Sequence, residues 1–124
     1  MNSKVFMVIR ILLGLFVLIF GLNKFFHFIP MGEMPENVMG YFGALSSTHT
    51  MTLVAVVEVV AGLALIVNKF GALMAVILMS VSVNVAFFHA TLAPEGIGPA
   101  LGLLILNIAA LFGYKDRYKD ILRA

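Results

Sequence analysis

The chain has 124 residues, of which 62% are hydrophobic and 11% are charged. An ordinary soluble domain is about 45–50% apolar and about 25% charged, and so small a soluble fold could not hide this much apolar surface, so the solvent implied is lipid. Cysteine is absent, which excludes disulfides, thiol nucleophiles and Cys-ligated clusters, and the net charge of +2 is too small and too dispersed for a nucleic-acid-binding face.

Four apolar segments, at about 5–28, 51–67, 70–90 and 97–113, predict four membrane spans, since about 20 residues cross a bilayer. The first begins after Lys4, as the apolar part of a signal peptide follows its basic start. The sequence that follows, Asn23-Lys24-Phe25-Phe26-His27, holds no small-x-small cleavage site, so the segment reads as a retained span. The connection 29–50 is broken at its start by Pro30 and Pro35. Within it Val38, Tyr41, Phe42 and Leu45 fall at i, i+3, i+4 and i+7, which predicts a short helix lying on the membrane surface. The link Asn68-Lys69 is short enough to force an antiparallel hairpin. Pro94 and Pro99 end the third span and restart the fourth. In the tail, 114–124, Tyr114, Tyr118, Ile121 and Leu122 are expected on one side of an interfacial basic helix. The fold class expected is all-α: a single domain, an integral membrane four-helix up-down bundle with a short interfacial helix in its first outer loop.

Lys and Arg set the orientation. With both termini cytoplasmic, the inner side carries Lys4, Arg10, Lys69, Lys115, Arg117, Lys119 and Arg123, and the outer side carries Lys24 alone. The outer loops then hold Glu33, Glu36 and Glu95.

Glu58 is the most informative residue. It stands in a run, 53–67, whose other members are all Ala, Val, Leu, Ile or Gly. An acid near the middle of a span costs roughly 2.5–3.5 kcal/mol on insertion scales, so it needs a partner or a task. Its helical neighbours Ala55, Ala61 and Gly62 are small and let another helix approach, which turns Glu58 into the bundle. Asn23, Lys24 and His27 share a sector of about 100° on the first span, placing a cation where it can reach that carboxylate. Asn84 and His89 lie about 140° apart on the third span and do not both face one point. Asn107 lies deeper, on the fourth.

Each of these residues has a structural and a chemical reading. Glu58 is either half of an ion pair with Lys24 or Arg10 that fixes helix register, or an acid that handles protons or binds a ligand. Arg10 and Lys24 either snorkel to the surface or meet a ligand head group. Asn23, Asn84 and Asn107 either hydrogen-bond between helices or to a ligand. His27 and His89 either cap helix ends or take part in the chemistry. The two histidines alone would make a haem pair, and with Glu58 a zinc-like set. No tight ligand motif supports one, so no metal is expected. The small-residue pairs Gly71/Ala75, Ser82/Ala86 and Gly98/Gly102 are candidates for close helix packing.

Three stretches together carry a family resemblance: Arg10-Ile-Leu-Leu-Gly14 leading to Gly21-Leu-Asn-Lys-Phe-Phe26, then Glu58-Val-Val-Ala-Gly62-Leu-Ala-Leu, then Asn84-Val-Ala-Phe-Phe-His89. In order and spacing the chain resembles the DoxX-like family of small four-helix membrane proteins over nearly its whole length. The family's recurring Arg, Asn/Lys, Glu and His positions match Arg10, Asn23, Lys24, Glu58 and His89. The resemblance implies a bacterial cytoplasmic membrane protein. Some relatives are membrane subunits of thiosulfate:quinone oxidoreductases, others associate with redox or detoxification enzymes, and many have no assigned activity.

The function expected is therefore a membrane subunit that binds a quinone or similar lipophilic ligand for an associated oxidoreductase whose electron-carrying part is another chain. Glu58 and His89 would exchange protons, while Asn23, Lys24, His27, Asn84, Asn107 and Arg10 would contact the ligand. The alternative is a non-enzymatic scaffold or assembly subunit, with the polar layer as glue. Membrane lipids are expected partners under either reading, and a homo-oligomer is compatible with both.

Overall fold

A computed structural model describes residues 1–30 and 32–124. Among these residues the chain forms five α-helices: α1 (Ser3–Phe26), α2 (Glu36–Ser47), α3 (Thr50–Val67), α4 (Gly71–Thr91) and α5 (Ile97–Gly113). Four of them, α1, α3, α4 and α5 with the turn before it, are long and apolar enough to cross a membrane. The bounds of α5 are those the hydropathy pattern predicts, and α1 begins and ends two residues earlier than expected.

Local chemistry sets the helix ends. Asn2 Oδ1 accepts the Lys4 N–H at 2.8 Å and caps α1, satisfying one of the donors that every helix start leaves open. At the other end His27 adopts a left-handed conformation with φ 52°. The α3–α4 turn reverses the chain through two left-handed residues, Asn68 and Phe70. Asn tolerates that conformation and a bulky aromatic does so at a cost. Pro99 sits in the first turn of α5, where no intrahelical partner is lost.

The four long helices form an up-down ring in which α1 packs chiefly on α3, α3 on α4, α4 on α5, and α5 back on α1. Leu13, Val17, Leu65 and Leu78 are fully buried at its centre, and the outward faces carry exposed Leu, Ile, Val and Phe, as lipid requires. The α1–α2 and α4–α5 connections lie at one end, the loop end. The chain termini and the α3–α4 turn lie at the other, the terminal end.

The short helix expected in the first outer loop is α2. Its apolar stripe faces the bundle: Val38 is buried, and Tyr41 and Phe42 pack on Phe88 of α4 with ring centroids 4.9 and 5.1 Å away. The helix therefore covers the loop end. Two other expectations need correction. The tail is no amphipathic helix. Lys115–Tyr118 is a short 3₁₀ turn that buries Tyr114 and Tyr118 and leaves Ile121 and Leu122 exposed. The phenols have found partners: Tyr114 donates to Asn68 Oδ1 at 2.6 Å and Tyr118 to the Ala72 carbonyl at 2.7 Å, with Phe6 edge-on to Tyr114. Finally, a methyl group added at Gly98 or Gly102 would meet nothing within 4 Å among the described residues, so that pair joins no helices there.

Candidate functional site

The closest helix contact is between α1 and α3. On α1 the residues Arg10, Gly14, Val17, Gly21 and Lys24 follow a 4-3-4-3 spacing, and on α3 Ala55, Glu58, Gly62 and Leu65 follow 3-4-3. This is the seam pattern of helices crossing at a shallow angle. Glycine is required at its centre. A Cβ on Gly14 would fall 2.9 Å from the Gly62 carbonyl oxygen, and one on Gly62 would fall 2.8 Å from that of Gly14. A Cβ on Gly21 would meet the Glu58 Cβ at 2.9 Å. With no side chain at 14, 21 and 62 the backbones close, and Glu58 is held inside the bundle at 3% exposure.

Lys24 reaches it. Its Nζ lies 2.6 Å from Glu58 Oε1, with the carboxylate side chain 4% and the lysine side chain 23% exposed. Among the described residues the ammonium is the only donor group beside that buried oxygen. The difference in exposure arises because Lys24 also lines a cavity of about 360 Å³ under α2. Asn23 lines it from α1 and His27 from the cap that follows, Phe42 and Ser46 from α2, and Thr52 and Ala55 from α3. Glu58, one helical turn beyond Ala55, is outside the lining and meets the cavity only through Lys24.

Of the residues singled out in the sequence, the structure thus brings together Asn23, Lys24, His27 and Glu58. Asn23 is partly committed, because its Oδ1 accepts the Ile29 N–H at 2.7 Å and shapes the turn after α1. The others stand elsewhere. Arg10 donates from Nη1 to the Leu65 and Ile66 carbonyls, two of the acceptors left open at the end of α3 and at the negative end of its dipole. It also borders a separate cavity with Lys4 and Asn68. Asn107, fully buried, accepts from Ser82 at 2.7 Å and donates to the Ala75 carbonyl at 3.0 Å, pinning α5 to α4. Asn84 is exposed and donates to the Ser80 carbonyl of its own helix. His89 lies 3.0 Å from the Ala93 carbonyl through Nδ1. A carbonyl can only accept, so Nδ1 carries the proton. The ring packs on Gly96 and fixes the α4–α5 turn, apart from the Lys24 cavity.

Sequence reasoning missed Ser46 and Thr52, which nothing in the local pattern marks. It also missed the seam glycines Gly14 and Gly21, whose seven-residue spacing was a legible signal.

A family model described as DoxX matches residues 5–91. The chain belongs to the DoxX family. Together with its four membrane-length helices, this makes it a multi-pass integral membrane protein. No curated protein matches it, and no solved structure does. The DoxX match spans α1 to α4 and so contains the whole α1–α3 seam, the Lys24–Glu58 pair and His89. Asn107 and the tyrosine latch lie beyond it.

Proposed function

We propose that this DoxX-family protein binds the head group of a quinone or a similar lipophilic ligand in the cavity between α1, α2 and α3, as the membrane subunit of an associated oxidoreductase. The observation that carries this reading is the double engagement of Lys24: one ammonium touches a buried carboxylate and lines a cavity. The volume lies within the range of about 300–1,000 Å³ usual for small-ligand sites. Its walls suit a flat polar ring, with apolar Phe25, Phe42 and Met51 beside the hydroxyls of Ser46 and Thr52.

A bound quinone would supply a couple that takes up electrons and protons together. The protein's own part is to hold and orient. Lys24 Nζ donates to a ligand oxygen. Glu58 Oε1 balances the ammonium from behind and keeps it aimed at the cavity. With the termini cytoplasmic, as the charge distribution favours, the cavity faces the outer leaflet, and α2 forms one of its walls.

The test is titration of the purified protein, in lipid nanodiscs, with a short-chain ubiquinone. Saturable binding that Glu58→Gln weakens by about tenfold or more, with the helical circular dichroism unchanged, is the expected result. No saturable binding, or equal binding by the variant, rejects the reading.

The scaffold reading keeps one observation in its favour. Lys24 and Glu58 occupy seam positions directly beside Gly21, where an ion pair alone would set register. That reading expects Glu58→Gln to weaken the association with a partner protein while no ligand is bound.

A further inference from the structure

The outward face of α4 is unlike the other lipid-facing surfaces. Leu73, Ile77, Ser80, Asn84, Phe87 and Thr91 are all exposed, and they follow one another at 4-3-4-3-4 spacing. A stripe of that period faces one way along a helix and suits a second helix crossing at a shallow angle. Asn84 lies within it, roughly 10 Å from the Thr91 end at about 1.5 Å per residue, well inside the apolar slab. One N–H of its amide goes to the Ser80 carbonyl at 2.7 Å. Among the described residues nothing donates to its Oδ1, and the second N–H is likewise directed to no acceptor. The hydroxyls of Ser80 and Thr91 donate back to Ile77 and Phe87 of their own helix, leaving oxygen lone pairs on the same face. Hydrocarbon offers no partner to the amide of Asn84, and leaving it there costs free energy.

We propose that α4 is the contact face of a homodimer, in which the Asn84 carboxamides of two copies hydrogen-bond to each other across a two-fold axis. A second copy fits better than a foreign helix because the requirement is self-complementary. A carboxamide offers both a donor and an acceptor, so two identical groups facing across a dyad satisfy each other. A single amide in an otherwise apolar seam also fixes register and pairing. The face is independent of the Lys24 cavity, so dimer formation and ligand binding stand or fall separately.

Cysteine is absent from the chain, so single-cysteine variants report single positions. In liposomes, Ser80→Cys, Asn84→Cys and Phe87→Cys are expected to form inter-copy disulfides under mild oxidation. Ile105→Cys on α5 and Leu12→Cys on α1, controls that are also exposed, are expected to stay monomeric. Energy transfer between labelled copies should show Asn84→Leu dimerising about 3- to 30-fold more weakly, the range for one interhelical hydrogen bond, with Asn84→Gln recovering part of the loss. Among the described residues Asn84 hydrogen-bonds only to its own helix, and unchanged circular dichroism would confirm that the variants fold. Equal crosslinking at the controls, a monomer at all lipid dilutions, or an Asn84→Leu dimer as strong as the parent would overturn the proposal.

Discussion

The α1–α3 seam carries a cation at each end, Arg10 and Lys24, two heptads apart on the same face of the same helix. Their surroundings are opposite. At the terminal end the guanidinium is spent on the last carbonyls of α3, and the neighbouring tyrosines close over the α3–α4 turn with each hydroxyl matched. At the loop end the ammonium meets a carboxylate that the helix pair has buried, and its other side is left on a cavity. An identical seam position thus serves structure where the partner is backbone, and becomes a candidate for chemistry where the partner is a titratable side chain beside open space.

The largest expected effect comes from breaking the loop-end pair on one side only. Lys24→Met should cost about 3–5 kcal/mol, because the carboxylate is left buried and alone; Glu58→Leu should cost less, because the partly exposed ammonium still borders the cavity; and the double variant should be close to the parent. Denaturation by SDS in mixed micelles would measure this cycle. Next come the glycines between the two ends. Gly14→Ala and Gly62→Ala should each cost about 1–3 kcal/mol, since the added methyl meets backbone that cannot give way. Gly98→Ala, with open space around it, should leave the same transition unmoved. Arg10→Met should cost about 1–2 kcal/mol for the lost helix-end bonds. In contrast to Lys24→Met, it should leave ligand affinity at the other end intact, and a shared loss would erase the distinction between them.

The smallest effect is at high pH. Burial, with the Tyr114 phenol nearby as a lesser contribution, pushes the Tyr118 hydroxyl up to about 12. A phenol whose pKa is raised by folding stabilises the folded state fully below its ordinary value near 10 and loses that contribution as pH climbs toward 12. The tail should therefore detach from the α3–α4 turn within that window, seen as phenolate absorbance rising together with proteolysis of 114–124. Tyr118→Phe should remove the step.

The spans were legible because hydropathy and length are enough to find a membrane helix, and the antiparallel α3–α4 hairpin followed from a link too short for anything else. Glu58 could be turned inward from its own neighbours, since small residues at i−3, i+3 and i+4 mark an approach face. What hydropathy does not carry is azimuth. Asn84 and Asn107 are both amides within apolar helices, yet one is fully buried and doubly bonded while the other faces outward, and only the packing of α4 on α5 separates them. Glycine pairs suffer from the same ambiguity. Gly98/Gly102 matches the association motif and packs on nothing among the described residues, whereas Gly14 and Gly62, on different helices and in no shared motif, bring two helix backbones together. His89 lies at a depth compatible with the candidate site but on another face, held by the turn it caps. The tail misled because a periodic stripe of Tyr, Ile and Leu does not reveal that two hydroxyls have acceptors waiting across a turn.

The most direct test of the central claim uses the charge-free pair Lys24→Met/Glu58→Leu, which removes the chemistry of the loop end while keeping its packing. Titrated with a short-chain ubiquinone in nanodiscs beside the parent protein, this variant should be as stable as the parent and bind at least about tenfold more weakly, the loss of roughly one charge-assisted hydrogen bond. A stable variant that binds as tightly as the parent would contradict the account and leave the ion pair as a structural lock.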